Sequence, residues 1–85
     1  MNNELEIFKK KLIYRAAYRG TKEMDILLSS FVDKYINSFS KDQLFELDKF
    51  LNYEDEIILN FYNHNIIKNR IDKNAVSTIF KNFRL

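Results

Sequence analysis

The sequence predicts an all-α protein, a small bundle of about five short helices. The clearest sign is the stretch from Lys22 to Phe39, where apolar residues recur at the spacing that one face of an α-helix requires. No stretch alternates apolar and polar residues as a strand would, and the 85 residues contain no proline and a single glycine. A chain of this length holds one core, so we expect residues 1–85 to form a single domain.

The first two helices are predicted from their apolar faces. The first runs from a cap at Asn2 or Asn3 to near Arg19, and the second runs from Lys22 to Phe39. The apolar face of the first is formed by Leu5, Phe8, Leu12 and Ala16. The apolar face of the second is formed by Met24, Leu27, Leu28, Phe31, Val32, Tyr35, Ile36 and Phe39. Both helices are therefore expected to bury one side in the core.

The third and fourth helices are predicted from capping residues and apolar spacing. Ser40 followed by Gln43 is a capping-box pattern that opens the third helix. The residues that this helix is expected to turn inward are Leu44, Leu47 and Leu51, with Phe45 or Phe50 at its flanks. After a polar joint at residues 52–55, a short fourth helix is predicted from Glu56 to about Asn63. Its apolar residues are Ile58, Leu59 and Tyr62.

The last part of the chain is predicted to be irregular and then helical. Residues 64–72 are mostly polar, with Ile66 and Ile67 as anchors to the core. Asp72 or Asn74 can cap a fifth helix. The apolar residues of that helix are Val76, Ile79, Phe80 and Phe83.

Charge and composition restrict the partners that we expect. The 14 basic and 12 acidic residues give a formal net charge of +2, which is too balanced to predict nucleic-acid binding. The absence of cysteine excludes disulfides and thiolate chemistry. No aliphatic run is longer than that of Ile57–Leu59, which is far too short for membrane insertion. We therefore expect a protein of the bacterial cytoplasm that is monomeric when free.

Few residues could support catalysis. His64 is the only histidine, and a catalytic relay needs a second group beside it. The acidic run Glu54–Glu56 could bind a metal ion, but it lacks the glycine turn of a calcium loop and suits the start of a helix. The basic run Lys9–Lys11 points in several directions around a helix and is expected to be solvated. The sequence thus predicts a protein that is not an enzyme.

The only glycine, Gly20, lies between the first two predicted helices and admits two interpretations. In the structural one, Gly20 takes a left-handed conformation that closes the first helix, and Thr21 caps the second. In the functional one, Arg19 and Glu23 form a polar projection of both charges that a partner protein contacts, because a corner does not need them. The residues alone leave both interpretations open.

The stretch RGTKEMD, from Arg19 to Asp25, resembles the RGxxE motif of the succinate dehydrogenase flavinylation factors. This family comprises the FAD assembly factors of bacteria and succinate dehydrogenase assembly factor 2 of mitochondria. The segment KKKLIYRAAYRG is similar to the basic, aromatic first helix of the family. The segment EMDILLSSFVDKYINSFSKDQLFELDKFL is similar to its second helix and the start of its third. The resemblance covers roughly residues 9 to 62.

The resemblance implies a five-helix bundle that is not itself an enzyme and holds no cofactor of its own. Such a factor binds the flavoprotein subunit of succinate dehydrogenase, and in some bacteria that of fumarate reductase. It promotes covalent attachment of the FAD on that subunit to a histidine of the subunit. Matched by position, the partner-binding residues are Arg19, Gly20, Glu23 and the neighbouring Asp25.

The chain departs from the family pattern around the motif and in the acidic joint. Glu56 stands where the joint usually has a proline, Ile57 stands where an acid usually follows, and Tyr18 replaces a second arginine before Arg-Gly. After residue 62 no similarity is evident, so no role is predicted for the C-terminal tail.

The residues leave two alternative functions open: a small nucleic-acid-binding helical protein, and a regulatory or antitoxin-like protein.

Overall fold

The structure, a computed structural model, describes residues 3–64 and 71–85. These residues form five α-helices and no strand. The helices are α1 (Asn3–Ala17), α2 (Lys22–Tyr35), α3 (Lys41–Phe50), α4 (Asp55–His64) and α5 (Ala75–Asn82). The predicted all-α bundle of about five short helices is confirmed. The predicted anchors Ile66 and Ile67, like the side chain of His64, lie outside the described residues.

Capping side chains start three of the helices as the sequence predicts. The Ser40 hydroxyl accepts a hydrogen bond from the backbone N–H of Gln43 at 3.2 Å. The Gln43 side chain accepts one from the backbone N–H of Ser40 at 2.9 Å, which completes a capping box. Asn74, and not Asp72, caps α5 by accepting the amide of Ser77 at 2.9 Å. Thr21 caps α2. Helix α4 extends one residue beyond each predicted end.

Helix α2 ends at Tyr35, four residues before the predicted end at Phe39. The chain leaves the helix in a turn in which the Ser38 amide and hydroxyl both donate to the carbonyl of Tyr35, at 2.9 and 2.8 Å. A serine that bonds the backbone locally offers it an alternative to the helical ladder. Ile36 and Phe39 nevertheless stay buried. The apolar spacing therefore reports burial correctly while overstating the length of the helix.

The core is built around Phe31 of α2, which is fully buried. Its ring lies 5.1 Å from the ring of Phe80 and 5.5 Å from that of Phe83, both in edge-on geometry. The ring of Phe50, the buried member of the predicted flanking pair, lies 5.0 Å from Phe80, whereas Phe45 is half exposed. Aromatic pairs of this kind add to the stabilisation that burial alone provides. Helices α2, α3 and α5 thus share one aromatic cluster.

The remaining helices pack around this cluster. Helix α1 packs along α2 and also contacts α3, and α4 contacts α5. On α1, Leu12 and Ala16 are buried and Leu5 and Phe8 are partly buried, as the apolar face predicts. None of the described helices combines the length and the apolar content needed to cross a membrane.

The aromatic cluster makes the first testable prediction. Replacing Phe31 by alanine leaves a cavity among four aromatic rings and should lower the free energy of unfolding by about 3–5 kcal/mol. The matched control is Phe45→Ala, since that ring is half exposed and its loss should change the free energy of unfolding by less than about 1 kcal/mol. Urea unfolding followed by circular dichroism measures both. Equal losses in the two variants would contradict this account of the core.

Candidate functional site

The corner between α1 and α2, residues 18–21, contains the only glycine of the chain in a conformation that needs glycine. Gly20 has φ = +129°, a value that residues with a side chain rarely adopt. A Cβ placed there would meet only the Asp55 carboxylate oxygen Oδ2, at 4.0 Å. The backbone angle, and not crowding, therefore requires the glycine. Helix α1 ends at Ala17, earlier than predicted, so Gly20 lies inside the corner and not directly at the end of the helix.

The far side of the corner is closed by the first turn of α2. The Thr21 hydroxyl accepts the amide of Met24 at 3.3 Å, which confirms Thr21 as the predicted cap. Asp25 reaches back across the corner, and its Oδ1 accepts the backbone N–H of Arg19 at 2.5 Å. Asp25 is thus bound to the corner that precedes its own helix.

Arg19 is turned inward, and this corrects the expectation that it projects from the surface beside Glu23. Only 11% of its side chain is exposed. Its Nε donates to Asp55 Oδ1 at 2.8 Å, its Nη1 to the carbonyl of Leu51 at 2.7 Å, and its Nη2 to the carbonyl of Tyr53 at 2.8 Å. All three nitrogens of the guanidinium thereby bond the joint between α3 and α4. Charge-assisted bonds of this kind are stronger than those between neutral groups.

A second arginine holds the same joint one helical turn earlier. Arg15 of α1 pairs with the carboxylate of Asp48, and its Nη2 donates to the carbonyl of Asp48 at 3.2 Å and to the Asn52 side chain at 2.6 Å. Arg15 and Arg19 are four residues apart and so lie on the same side of the chain as it leaves α1. We call the two arginines and their acceptors the arginine clamp.

The arginine clamp satisfies the end of α3. The last carbonyls of a helix have no partner within it, and α3 ends at Phe50 with Leu51 after it in a right-handed conformation instead of a glycine cap. Arg15 donates to the carbonyl of Asp48, and Arg19 donates to the carbonyls of Leu51 and Tyr53. Backbone N–H groups of the turn after α3 donate to the carbonyls of Leu47, Lys49 and Phe50. The two arginines supply donors for the carbonyls that this turn does not reach, those of Asp48 and Leu51.

The part of the corner that faces outward is smaller than the motif. Gly20, Thr21 and Glu23 are exposed. Beside them, Tyr18 and Tyr14 are 69% and 64% exposed, with ring centroids 4.5 Å apart. The exposed face thus combines bare backbone, one hydroxyl, one carboxylate and two aromatic rings. Sequence reasoning missed the tyrosine pair, although the spacing of four residues outside the apolar face of α1 is a signal that could have found it.

The acidic run Glu54–Glu56, where the joint between α3 and α4 meets α4, is a candidate metal site in the sequence. Within residues 3–64 and 71–85, no group of three or more histidine, aspartate or glutamate side chains is arranged to hold a metal ion. Of the acidic run Glu54–Glu56, Asp55 is the residue that pairs with Arg19 and opens α4. Sequence reasoning did not single out Asp55 as a partner of the motif, because the two residues are 36 positions apart.

The arginine clamp makes a prediction about stability. Arg19→Met keeps an unbranched apolar stem but leaves two carbonyls and the Asp55 carboxylate without their donor, so the free energy of unfolding should fall by roughly 2–3 kcal/mol. Lys22→Met, at an exposed position on the other side of the corner, is the control and should change the free energy of unfolding by less than about 0.5 kcal/mol. Urea unfolding measures both. An Arg19→Met protein as stable as the control would rule out the clamp as a source of stability.

Comparison with known proteins found a family model and several relatives that are similar to the chain. A family model described as the flavinator of succinate dehydrogenase matches residues 10–84. The chain is 46% identical over 48 residues to succinate dehydrogenase assembly factor 2-B, mitochondrial, of Drosophila willistoni, which is 56% of this chain and 31% of the relative. It is 43% identical over 51 residues to succinate dehydrogenase assembly factor 2, mitochondrial, of Scheffersomyces stipitis, which is 60% of this chain and 34% of the relative.

These matches cover only about a third of the length of the curated relatives, and no solved structure matches the chain significantly. The family model, in contrast, spans most of the chain, from α1 to the residues after α5, and so corrects the expectation that the similarity ends at residue 62. The chain therefore belongs to the flavinator of succinate dehydrogenase family.

Proposed function

We propose that this protein is an assembly factor that binds the flavoprotein subunit of succinate dehydrogenase and promotes covalent attachment of FAD to a histidine of that subunit. Membership of the flavinator family supports the activity. The observation that carries the site is the exposed Gly20 of positive φ, which lies beside the pair formed by Arg19 and Asp55. Arg19 and Gly20 of the corner, with Glu23 and Asp25 in the first turn of α2, make up the region that we propose meets the flavoprotein subunit.

The proposed mechanism needs no catalytic group on this chain. FAD supplies the reactive carbon for the bond to histidine, and it stays with the flavoprotein subunit throughout. A factor that holds two reacting groups in alignment can accelerate their reaction by position alone. A corner whose backbone is fixed by charge-assisted bonds is suited to such a task, because it does not have to be ordered when it binds. We therefore propose that the protein holds no cofactor of its own and is not an enzyme.

The exposed residues of the corner suit contact with a polar surface. At Gly20 the absence of a side chain lets another backbone approach closely. Glu23, in the first turn of α2, presents a carboxylate to a donor on the partner. We propose the flavoprotein subunit of fumarate reductase as a second client, to which the protein would promote covalent attachment of FAD in the same way.

The setting proposed for this activity is the bacterial cytoplasm, with a monomer that meets its client transiently. The balanced charge and the absence of cysteine support it, because neither requires an oxidising compartment or a membrane surface. The relatives are named as mitochondrial proteins. A nucleic-acid partner is disfavoured by the balance of 14 basic and 12 acidic residues, and two of the basic residues, Arg15 and Arg19, already donate to acceptors within the protein.

Substitutions at Gly20 test whether the corner meets the client. Gly20→Ala and Gly20→Arg share the strain of a side chain at φ = +129°, about 1–3 kcal/mol, and the added Cβ has room. Only arginine adds bulk at the surface. When the flavoprotein subunit is co-expressed with each variant, Gly20→Ala should retain most of the covalent flavin and Gly20→Arg should fall to the level without the factor. Flavin fluorescence of the denatured subunit in a gel is the readout.

The charge of Glu23 is tested in the same assay. Glu23→Gln removes one carboxylate from the corner and should lower covalent flavin several-fold. Asp33→Asn is the matched control, because Asp33 is an exposed acid on the same helix about 15 Å further along its axis, and it should leave covalent flavin unchanged. Circular dichroism confirms that each variant is helical.

The same assay tests the proposed function as a whole. If cells with the wild-type protein give no more covalent flavin than cells without it, the proposed function is wrong, and capture of a toxin would support the antitoxin-like alternative.

A further inference from the structure

We infer that Asp55 is a positioning residue of the partner-binding corner, acting through Arg19, and that Arg19 serves binding from inside the protein without touching the partner. The inference rests on the proposed function and divides the motif in two. Arg19, Asp25 and Asp55 hold the corner, whereas Gly20 and Glu23 contact the flavoprotein subunit.

The carboxylate of Asp55 lies between the buried arginine and the exposed glycine. Its Oδ1 accepts Nε of Arg19 at 2.8 Å. Its Oδ2 is the nearest atom outside residues 19–21 to the Cβ position of Gly20, at 4.0 Å. Only 26% of the Asp55 side chain is exposed. One carboxylate therefore lies beside Gly20 while it accepts a hydrogen bond from the side chain of the preceding residue.

Arg19 is fixed from both ends. Its backbone N–H is bonded by Asp25 of α2, and its guanidinium is bonded by Asp55 and by the carbonyls of Leu51 and Tyr53. Gly20 follows directly, and a glycine has more accessible backbone conformations than any other residue. A neighbour held at both ends restricts that freedom. The corner is thus kept in one geometry before the partner arrives, which lowers the entropy lost on binding.

The same contacts argue against Arg19 as a contact residue. Each of its three guanidinium nitrogens already donates to an acceptor of the protein, and 11% of the side chain is exposed. A partner that bound this guanidinium directly would have to replace bonds at the α3–α4 joint, whose carbonyls would then lack donors. Glu23 makes no such contact within residues 3–64 and 71–85, and it is exposed. The inward cation and the outward anion therefore have different tasks.

The structure provides a matched pair of variants for the test. Asp48→Asn weakens the pairing with Arg15, and Asp55→Asn weakens the pairing with Arg19. Both acids accept an arginine of the same clamp at partly exposed positions, so similar losses of stability are expected. Only Asp55 lies next to Gly20. Asp55→Glu keeps the carboxylate and is the conservative variant.

Two measurements on the full chain separate positioning from stability. The first is the Kd for the FAD-loaded flavoprotein subunit, at a temperature where every variant is folded. The second is amide hydrogen exchange of residues 20–24 in the free protein by NMR. Asp55→Asn should raise Kd roughly tenfold, the effect of one charge-assisted bond, and should accelerate exchange in the corner. Asp48→Asn should change neither, and Asp55→Glu should recover much of the affinity.

Several outcomes would overturn the inference. Unchanged exchange in the corner of Asp55→Asn would show that Asp55 does not hold it, whatever the effect on Kd, and a raised Kd would then mean that Asp55 contacts the partner. Equal increases of Kd in Asp48→Asn and Asp55→Asn would show a general loss of stability. If the wild-type chain does not bind the subunit, the proposed function is wrong, and the exchange comparison still decides whether Asp55 holds the corner.

Discussion

The end of helix α3 is the constraint on which the rest of the structure depends. The turn that follows α3 bonds some of its last carbonyls but not those of Asp48 and Leu51, and the chain has neither a glycine nor a proline there. Arg15 and Arg19 supply the donors from the end of α1. One set of hydrogen bonds therefore finishes α3, starts α4 beside it and attaches the first half of the chain to the second.

This arrangement explains how a strongly charged motif at the surface of a small bundle is tied to the rest of the fold. The interior of the bundle is apolar and built around Phe31, but the corner lies at its margin, where apolar packing alone would not fix a glycine backbone. Hydrogen bonds that Arg19 donates to Asp25 and Asp55 fix the backbone beside the glycine instead. The stability of the joint and the order of the corner thus have the same physical source.

Much of the fold could be predicted from local signals, because caps and apolar faces are local. Ser40 and Thr21 start their helices as the sequence predicts, since a capping side chain bonds only the next turn. The end of α2 could not be placed, because Ile36 is buried in a turn at the spacing of a helix. The inward direction of Arg19 could not be predicted either, because its acceptors are more than 30 positions away. No periodic pattern encodes such a pair.

The start of α4 shows how this chain manages without the proline that its family usually has in the joint. A proline at the start of a helix fixes one backbone angle and removes an unpaired N–H. Here Glu56 takes that place, and α4 nevertheless begins at Asp55. Two acids in the first turn favour the positive end of the helix, and the bond from Arg19 holds the first of them in place. In this chain a side-chain contact across the fold, from Arg19 to Asp55, thus restrains the start of α4 without a proline.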